Sequence, residues 1–550
     1  LVANRGEIGI RVLRAATELG ITTIAIYSQE DRFALHRFKA DESYLVGEGK
    51  GPIDAYLDID DIIRIAKENH ADAIHPGYGF LAESPEFVDA CLKAKVAFIG
   101  PSPDTMRRLG NKVSARKLAE EAGAPVVPAT GPLPNNVKSA KSQAAKVGYP
   151  AMLKASWGGG GRGMRVVNKE SELMEQLDAA RREAKAAFGK DEIYLEKLVE
   201  RAKHVEVQIL GDFHGNIYHL FERDCTMQRR NQKVVERAPA PYLSKTKRAE
   251  FCEAALKIAR TSGYYNAGTV EFLMDMDTED FYFMEVNPRI QVEHTVTEVV
   301  TGVDIVKAQI LVAQGAELGT KESGVPKQED IKLNSHAIQC RVTTEDPANS
   351  FIPDYGRISV YRDATGFGVR LDGGTSYAGA VVTRHYDSLL EKVTAWAPTP
   401  KDAIARMDRA LREFRIRGVA TNLVFLETLI AHPKFRKGDY TTRFIDDTPE
   451  LFHFVKRRDR ATRLLAFLGD VIANGNPEVE GRAIPEHVHH AKAPRFNPEE
   501  APRGTKQMLE KEGAEAVSKW MLKQKQLLIT DTTFRDAHQS LLATRLRTYD

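Results

Sequence analysis

The sequence predicts a mixed chain, α/β at its start and α+β beyond, and three stretches carry that reading. Residues 1–103 alternate short apolar runs with helical patterns, the signature of a parallel sheet with crossover helices. Residues 149–167 read strand, glycine loop, strand. Near the middle, Gly268-Thr-Val-Glu-Phe-Leu-Met and Phe281-Tyr-Phe-Met-Glu-Val-Asn flank a polar connector, Asp275 to Asp280, and read as an antiparallel hairpin.

At 550 residues the chain is long enough for several domains. A net charge of +2 gives no global field that would recruit nucleic acid or a membrane. The four cysteines, Cys91, Cys225, Cys252 and Cys340, are far apart, without zinc or disulfide spacing, and fit a reducing compartment. No apolar run reads as long enough to span a bilayer, and no stretch of the given sequence reads as a signal peptide. The chain opens without methionine inside an apparent first strand and stops just after a new motif begins, so a longer parent protein is expected.

In order, Leu1-Val-Ala is a strand and Asn4-Arg-Gly-Glu a loop, followed by an amphipathic helix to about Leu19. Ile21 to Tyr27 is a strand, residues 60–70 a helix, Ala73-Ile74 a strand, Pro85 to Lys95 a helix and Val96 to Ile99 a strand. The loops Asn4 to Ile8 and His75-Pro-Gly-Tyr-Gly-Phe80 fall where open sheets bind ligands, although the second is equally a tight Pro-Gly turn. Pro101 to Gly123 is mostly helical and carries Lys112 near a helix start; Pro125 to Asn136 is a proline-rich connector. The glycine loop Gly158 to Gly163 formally satisfies GxGxxG, but a strand follows it where a dinucleotide site needs a helix, and no Gly-Lys-Ser/Thr closes a Walker loop. Such a hairpin still lays backbone N–H groups around phosphates, with Lys154 adding charge. Ser171 to Phe188 is helical, Glu192 to Val199 a strand, and Arg201 to Leu210 an alternating strand with His204 at its start. The charge-dense run Phe221 to Arg237 lies between apolar strands and Ala238-Pro-Ala-Pro241, which favours a site edge over a solvated face.

A turn centred near Thr278 makes Glu271 face Glu285. Opposed like charges destabilise a sheet, so a divalent cation on carboxylate oxygens is the natural neutraliser. Continued alternation would put Glu285, Asn287, Arg289, Gln291 and Glu293 on one face, joining metal ligands, an anion-binding arginine and a general base.

These motifs resemble the biotin carboxylase branch of the ATP-grasp enzymes. They comprise Lys154 with Gly158 to Gly163, Glu196-Lys-Leu-Val199, His204-Val-Glu-Val-Gln208, Glu222 to Glu236, and Glu285-Val-Asn-Pro-Arg-Ile-Gln-Val-Glu-His294, and the likeness runs from residue 1 to about 447. The resemblance implies a biotin carboxylase-type ATP-grasp fold: an N-terminal α/β domain, a mobile lid with the glycine loop, and a C-terminal mixed domain. It implies ATP contacts from Lys112, Lys154, Gly158, Gly159, Gly160, Gly161, Gly163, Glu196, Lys197, Leu198, Val199, His204, Gln228, Asn231, Glu271 and Glu285. Asn231 departs from the histidine of many members, an amide that still suits a ribose. Glu271, Glu285 and Asn287 would hold Mg2+ or Mn2+; Lys233, Arg289, Gln291 and Val292 would hold bicarbonate; Glu293 would be the base. Lys233, Arg289, Glu293 and Arg341 form the implied catalytic set, Arg341 stabilising enolate-like biotin with Tyr78 close by.

Residues 331–396 are strand-rich and Asp402 to Arg415 helical. Arg412, Arg415 and Arg417 form one basic cluster and Arg457, Arg458, Arg460 and Arg463 another, read either as surface charge or as a site for a phosphorylated effector. A linker runs from about Gly475 to Arg503. Gln526 to Arg545 is expected as a buried strand and polar loop, resembling the first strand of a carboxyltransferase TIM barrel acting on a 2-oxo acid. By that likeness Asp536 would ligate a further divalent metal, Zn2+ or Mn2+, and Arg535, Asp536, Ala537, His538 and Gln539 would line a pyruvate/oxaloacetate site. The domains expected are 1–103 (α/β), 104–130 (helical connector), 131–205 (lid), 206–449 (C-terminal), 450–525 (linker and allosteric/tetramerisation segment) and 526–550 (barrel start). The combination resembles the biotin-dependent carboxylases of 2-oxo acids. It implies acetyl-CoA activation, for which Arg415, Arg417 and Arg460 are the candidate effector residues, a tetramer, and a location in bacterial cytoplasm or mitochondrial matrix. No Ala-Met-Lys-Met-like turn occurs here, so the biotin carrier domain would lie elsewhere. The competing readings are the biotin carboxylase subunit of an acyl-CoA carboxylase, a carboxylate–amine ligase, and a non-catalytic nucleotide-binding scaffold.

Overall fold

The structure, a computed structural model, describes residues 1–157, 164–454, 460–483, 497, 499, 502–533, 535 and 536. Residues 1–455 and 456–550 form two compact units.

In the first unit β1 (Ile24–Tyr27) pairs in parallel with β2 (Glu42–Leu45), and β3 (Ala73–Ile74) with β4 (Ala97–Phe98). The expected first strand shrinks to a single bridging residue, Val2, parallel to both Ala25 and His75. Helix α1 (Gly6–Glu18) buries Ile8, Val12 and Leu13 against the sheet, as its amphipathic pattern requires.

The next sheet has the order β5-β8-β6-β7, from β5 (Ala129–Pro132), β6 (Ala151–Ala155), β7 (Arg165–Val167) and β8 (Ile193–Lys197). The proline-rich connector therefore supplies a strand; it lies at the sheet edge, where a missing N–H is tolerated. Ala140, Ala144, Leu173, Leu177, Ala180 and Ala184 from the helices at 137–147 and 173–188 close the core of this lobe. Its sheet stops at Lys197, short of the expected boundary at 205.

The large sheet has eight strands in the order β13-β12-β9-β10-β11-β14-β16-β15. They are β9 (Ala202–Gly211), β10 (Ile217–Arg229), β11 (Gln232–Ala238), β12 (Asn266–Asp275), β13 (Phe281–Asn287), β14 (His336–Thr343), β15 (Val369–Gly373) and β16 (Leu389–Ala397). Every residue of β9 is buried. Val205, Val207 and Ile209 enter the core, while His204, Glu206 and Gln208 alternate with them on the opposite, polar face. β10 and β11 are joined through Arg230 and Asn231, both at positive φ (48° and 63°), a two-residue turn whose twist matches the strands.

β12 and β13 pair antiparallel with Glu271 opposite Glu285, and a register shift follows Glu271. The polar row does not continue as strand. β13 ends at Asn287, residues 288–293 form a loop, and α3 (His294–Thr301) follows. Pro288, which lacks an N–H, stands at the strand end. The helix expected to reach Arg415 stops at Glu413 (α4, Pro400–Glu413); Arg415–Arg417 is a strand paired with Val360–Arg362.

In the second unit α5 (Arg460–Asn474) exposes Leu464, Leu465 and Phe467, and α6 (Thr505–Lys523) is interrupted at Gly513. Residues 526–532 form no strand, and Leu527 and Ile529 are exposed, so the expected barrel strand is not found there. A barrel strand is defined by partners on both sides, and the described residues give this segment none.

Candidate active site

The site forms on the polar face of β9 and its neighbours. Lys233 on β11 donates to three buried carboxylates: Glu206 at 2.6 Å, Glu271 at 2.9 Å and Glu293 at 2.6 Å. Burial works against its charge, but the three carboxylates outweigh it and hold Lys233 protonated far beyond its ordinary range. Burial likewise opposes charge on Glu293, yet Lys233, Arg341 and Arg223 keep its carboxylate well below the usual range. Arg341 on β14 bridges Glu293 at 3.0 Å and Glu236 at 2.6 Å. Glu293 occupies the N-cap position of α3 but makes no side-chain cap; its carboxylate turns to the cations instead.

The hairpin end is equally saturated. Glu271 accepts from Asn287 (2.9 Å) and Gln291 (2.8 Å), and its other oxygen lies 3.1 Å from His204 Nε2. Against burial, Lys233 and His204 hold Glu271 far below the usual carboxylate range. Gln228 meets the other ring nitrogen of His204 at 2.8 Å. Glu285, half-buried, pairs with Lys112 at 3.3 Å. Lys112 is the first residue of α2 (Lys112–Glu121), a start fixed by the Asn111 side chain accepting from Ser114 N–H. Arg289 donates to Glu83 (2.6 Å) and Asn287 (3.0 Å), and Arg223 joins Gln291 (2.7 Å) to Glu206 (2.5 Å).

In the four-stranded sheet, Lys154 and Glu196 pair at 2.6 Å across β6 and β8, and Lys197 Nζ donates to the Tyr149 carbonyl at 3.0 Å. Leu198 N–H donates to the Pro150 carbonyl, with Val199 next in the chain. Gly158, Gly159, Gly160, Gly161 and Gly163 lie outside the described residues. Asn231 sits at the exposed hairpin tip, where an amide side chain tolerates positive φ.

A cavity of about 990 Å3 opens beside these groups, lined by Tyr78, Lys233, Arg289, Val292 and Arg341 among others. The His75–Phe80 loop is both a tight turn and a cavity wall. Asn4 Nδ2 clasps the carbonyls of Pro76 (2.7 Å) and Tyr78 (2.8 Å), and a Cβ on Gly77 would come within 2.9 Å of that same nitrogen. Tyr78 donates its hydroxyl to Glu7.

The structure thus gathers Lys112, His204, Gln228, Lys233, Glu271, Glu285, Asn287, Arg289, Gln291, Val292, Glu293 and Arg341 around one centre. Glu206, Arg223 and Glu236 complete it without having been singled out by the sequence reading; Glu206 stood in the quoted strand and could have been found by its alternation with His204. Arg415 and Arg417 are exposed on their strand. The side chain of Arg460, and Arg457, Arg458, Ala537, His538 and Gln539, lie outside the described residues. Arg535 and Asp536 are exposed in the second unit.

Family models match in sequence order: "Biotin carboxylase, N-terminal domain" over residues 1–106, "Carbamoyl-phosphate synthase L chain, ATP binding domain" over 111–321, and "Biotin carboxylase C-terminal domain" over 339–447. The biotin carboxylase domain of Hydrogenobacter thermophilus 2-oxoglutarate carboxylase, solved with MgADP and bicarbonate, is 44% identical with a TM-score of 0.79; the match covers 83% of this chain and 98% of that one. The chain belongs to the biotin carboxylase family. Within this family its likeness extends further along the sequence. Pyruvate carboxylase of Bacillus subtilis (strain 168) is 55% identical, and mitochondrial pyruvate carboxylase of Homo sapiens 51% identical, each over 100% of this chain. A Rhizobium etli pyruvate carboxylase solved with the allosteric activator acetyl coenzyme A is 66% identical over 99% of this chain, with a TM-score of 0.82. The chain spans about half the length of these relatives, 48% of the first and 46% of the second.

Proposed function

We propose that this chain carries out ATP- and bicarbonate-dependent carboxylation of biotin, the first half-reaction of a pyruvate carboxylase. The carrying observation is the Glu293 carboxylate, held between Lys233 and Arg341, which both line the cavity, and one loop away from the facing pair Glu271 and Glu285. Arg289, Gln291 and Val292 bind bicarbonate, and Glu293 takes its proton. The resulting oxyanion attacks the γ-phosphorus of ATP, breaking its bond to ADP and forming carboxyphosphate. Lys112, Lys154 and Lys233 stabilise the charge gathered on phosphoryl oxygens. Carboxyphosphate parts into CO2 and phosphate, the phosphate accepts the ureido N–H proton of biotin, and the freed nitrogen attacks the carbon of CO2 to form the N–C bond of carboxybiotin. Arg341 stabilises the enolate-like ring, its planar fork matching a planar oxyanion, while Tyr78 lines the biotin side. The lid excludes water from the labile intermediate.

Glu271, Glu285 and Asn287 offer oxygen donors suited to a hard cation, and Mg2+ or Mn2+ there would neutralise nucleotide phosphates. The remaining partners follow the same reading. They are a biotin carrier domain, pyruvate and oxaloacetate at a carboxyltransferase site that starts near Asp536 with its own Zn2+ or Mn2+, acetyl-CoA as activator, and a tetramer. The whole-length likeness to pyruvate carboxylases, including Asp531 to Asp536, supports this over an acyl-CoA carboxylase subunit. No described helix is long and apolar enough to cross a membrane.

The test is ATP cleavage with bicarbonate, with and without free biotin, alongside labelled carboxybiotin formation. Stimulation by biotin with carboxybiotin as product is expected. Normal ATP binding without carboxybiotin would overturn the assignment.

A further inference from the structure

One buried cation near this centre has no part in the chemistry above. Lys392 on β16 is fully buried and is the register partner of Arg341 on β14. Cross-strand partners project from the same face of a sheet. Arg341 reaches the Glu293 carboxylate, while Lys392 donates to the Val292 carbonyl at 3.0 Å. That carbonyl and the Glu293 N–H belong to one planar peptide unit. The loop residue is therefore held at both ends, carboxylate by Arg341 and backbone by Lys392.

Burying an ammonium is costly unless it is paired. Glu7, in the first turn of α1, lies 2.6 Å from Lys392 Nζ and also accepts the Tyr78 hydroxyl. Asp372 on β15 is the register partner of Lys392 on its other side. A continuous chain thus runs from the cavity wall at Tyr78, through Glu7 and Lys392, to the peptide before Glu293. A plain staple between the N-terminal domain and the sheet would need the Glu7–Lys392 pair but not the bond to a loop carbonyl.

We propose that Lys392, anchored by Glu7, is a positioning residue that sets the Val292–Glu293 peptide plane and couples it to Tyr78; this rests on the biotin carboxylase half-reaction above. The test uses the whole chain with free biotin. Lys392→Met should lower kcat for biotin-dependent ATP cleavage by about 30-fold with MgADP affinity within about twofold, the pattern of lost alignment rather than lost binding. Glu7→Gln, nearly the same shape, should lower kcat about fivefold and raise KM for biotin, because Tyr78 and Lys392 lose their shared anchor. Two results overturn the proposal: kcat within about twofold of wild type in both variants, or MgADP affinity and thermal midpoint falling in step with kcat in both. If Lys392→Met does not fold, Glu7→Gln decides by the same measurements. Failure of the half-reaction itself would show earlier, as no biotin-dependent turnover in the unmutated chain.

Discussion

Glu293 is buried, and burial alone would favour its neutral form; two cations within 3.0 Å reverse that preference. Since its affinity for protons is depressed, it stays ionised throughout neutral and mildly acidic conditions. The stability it contributes is present above the ordinary carboxylate range and is lost only as pH falls far below it. Glu293→Gln keeps the shape and removes the proposed base. The expected loss in biotin-dependent kcat is about 100-fold or more, with ADP affinity nearly unchanged by isothermal titration; parallel loss of both would give Glu293 a structural role instead. Single residues of this kind were readable where they stood in one contiguous motif, as Glu293 does with Arg289 and Gln291. Lys392 was not, because its partner Val292 is 100 positions away and only sheet order brings them together.

Among elements, the hairpin of β12 and β13 shows what pattern reasoning reaches. Two apolar runs and a polar connector sufficed to set Glu271 opposite Glu285. They did not reveal that the strand stops at Asn287, because residues 289–293 keep the polar–apolar alternation of a strand while lying in a loop. The loop brings Gln291 and Glu293 back toward Glu271 and Lys233, which a straight strand rising about 3.3 Å per residue would carry away. Buried β9 was similarly half readable: alternation marked the strand but not that its polar face is also enclosed. At the edge strand 415–417, replacing Arg415 and Arg417 by alanine should blunt activation by acetyl-CoA several-fold, about 1–2 kcal/mol of coupling, with basal ATP cleavage unchanged. Undiminished activation would leave both as surface charge.

For the molecule as a whole, stability should carry the imprint of another buried carboxyl. Glu391 on β16 is 4% exposed, and burial lifts its ionisation from 4.5 to about 8 despite Arg14. Between those values the unfolded chain has released its proton while the folded chain retains it, so stability declines as pH rises through that window. Glu391→Gln should raise the thermal midpoint by about 2 °C at pH 8 and leave it nearly unchanged at pH 4.5, measured by scanning calorimetry. An equal shift at both values would point to packing instead of ionisation. At this scale much of the N-terminal alternation and the β6–β7 hairpin follow from local pattern, whereas β2, the partner of β1, does not. The eight-stranded order was not, since β11, β14, β16 and β15 join across long intervals that no local rule encodes. The segment after α6 reads as a strand from its apolar run and its likeness to a barrel strand, yet strand identity resides in neighbours.

The three carboxylates around Lys233 make the centre an ion exchanger. An arriving anion competes with Glu206, Glu271 and Glu293 for one ammonium, and an arriving cation competes with that ammonium for Glu271. The displaced carboxylates stay tethered beside the site, so each arriving ion adds its own charge to the centre and the pairs around Lys233 rearrange to meet it. The proton affinity of Glu293 should rise when an anion draws Lys233 away, so in its proposed role Glu293 would strengthen as a base when bicarbonate is beside it.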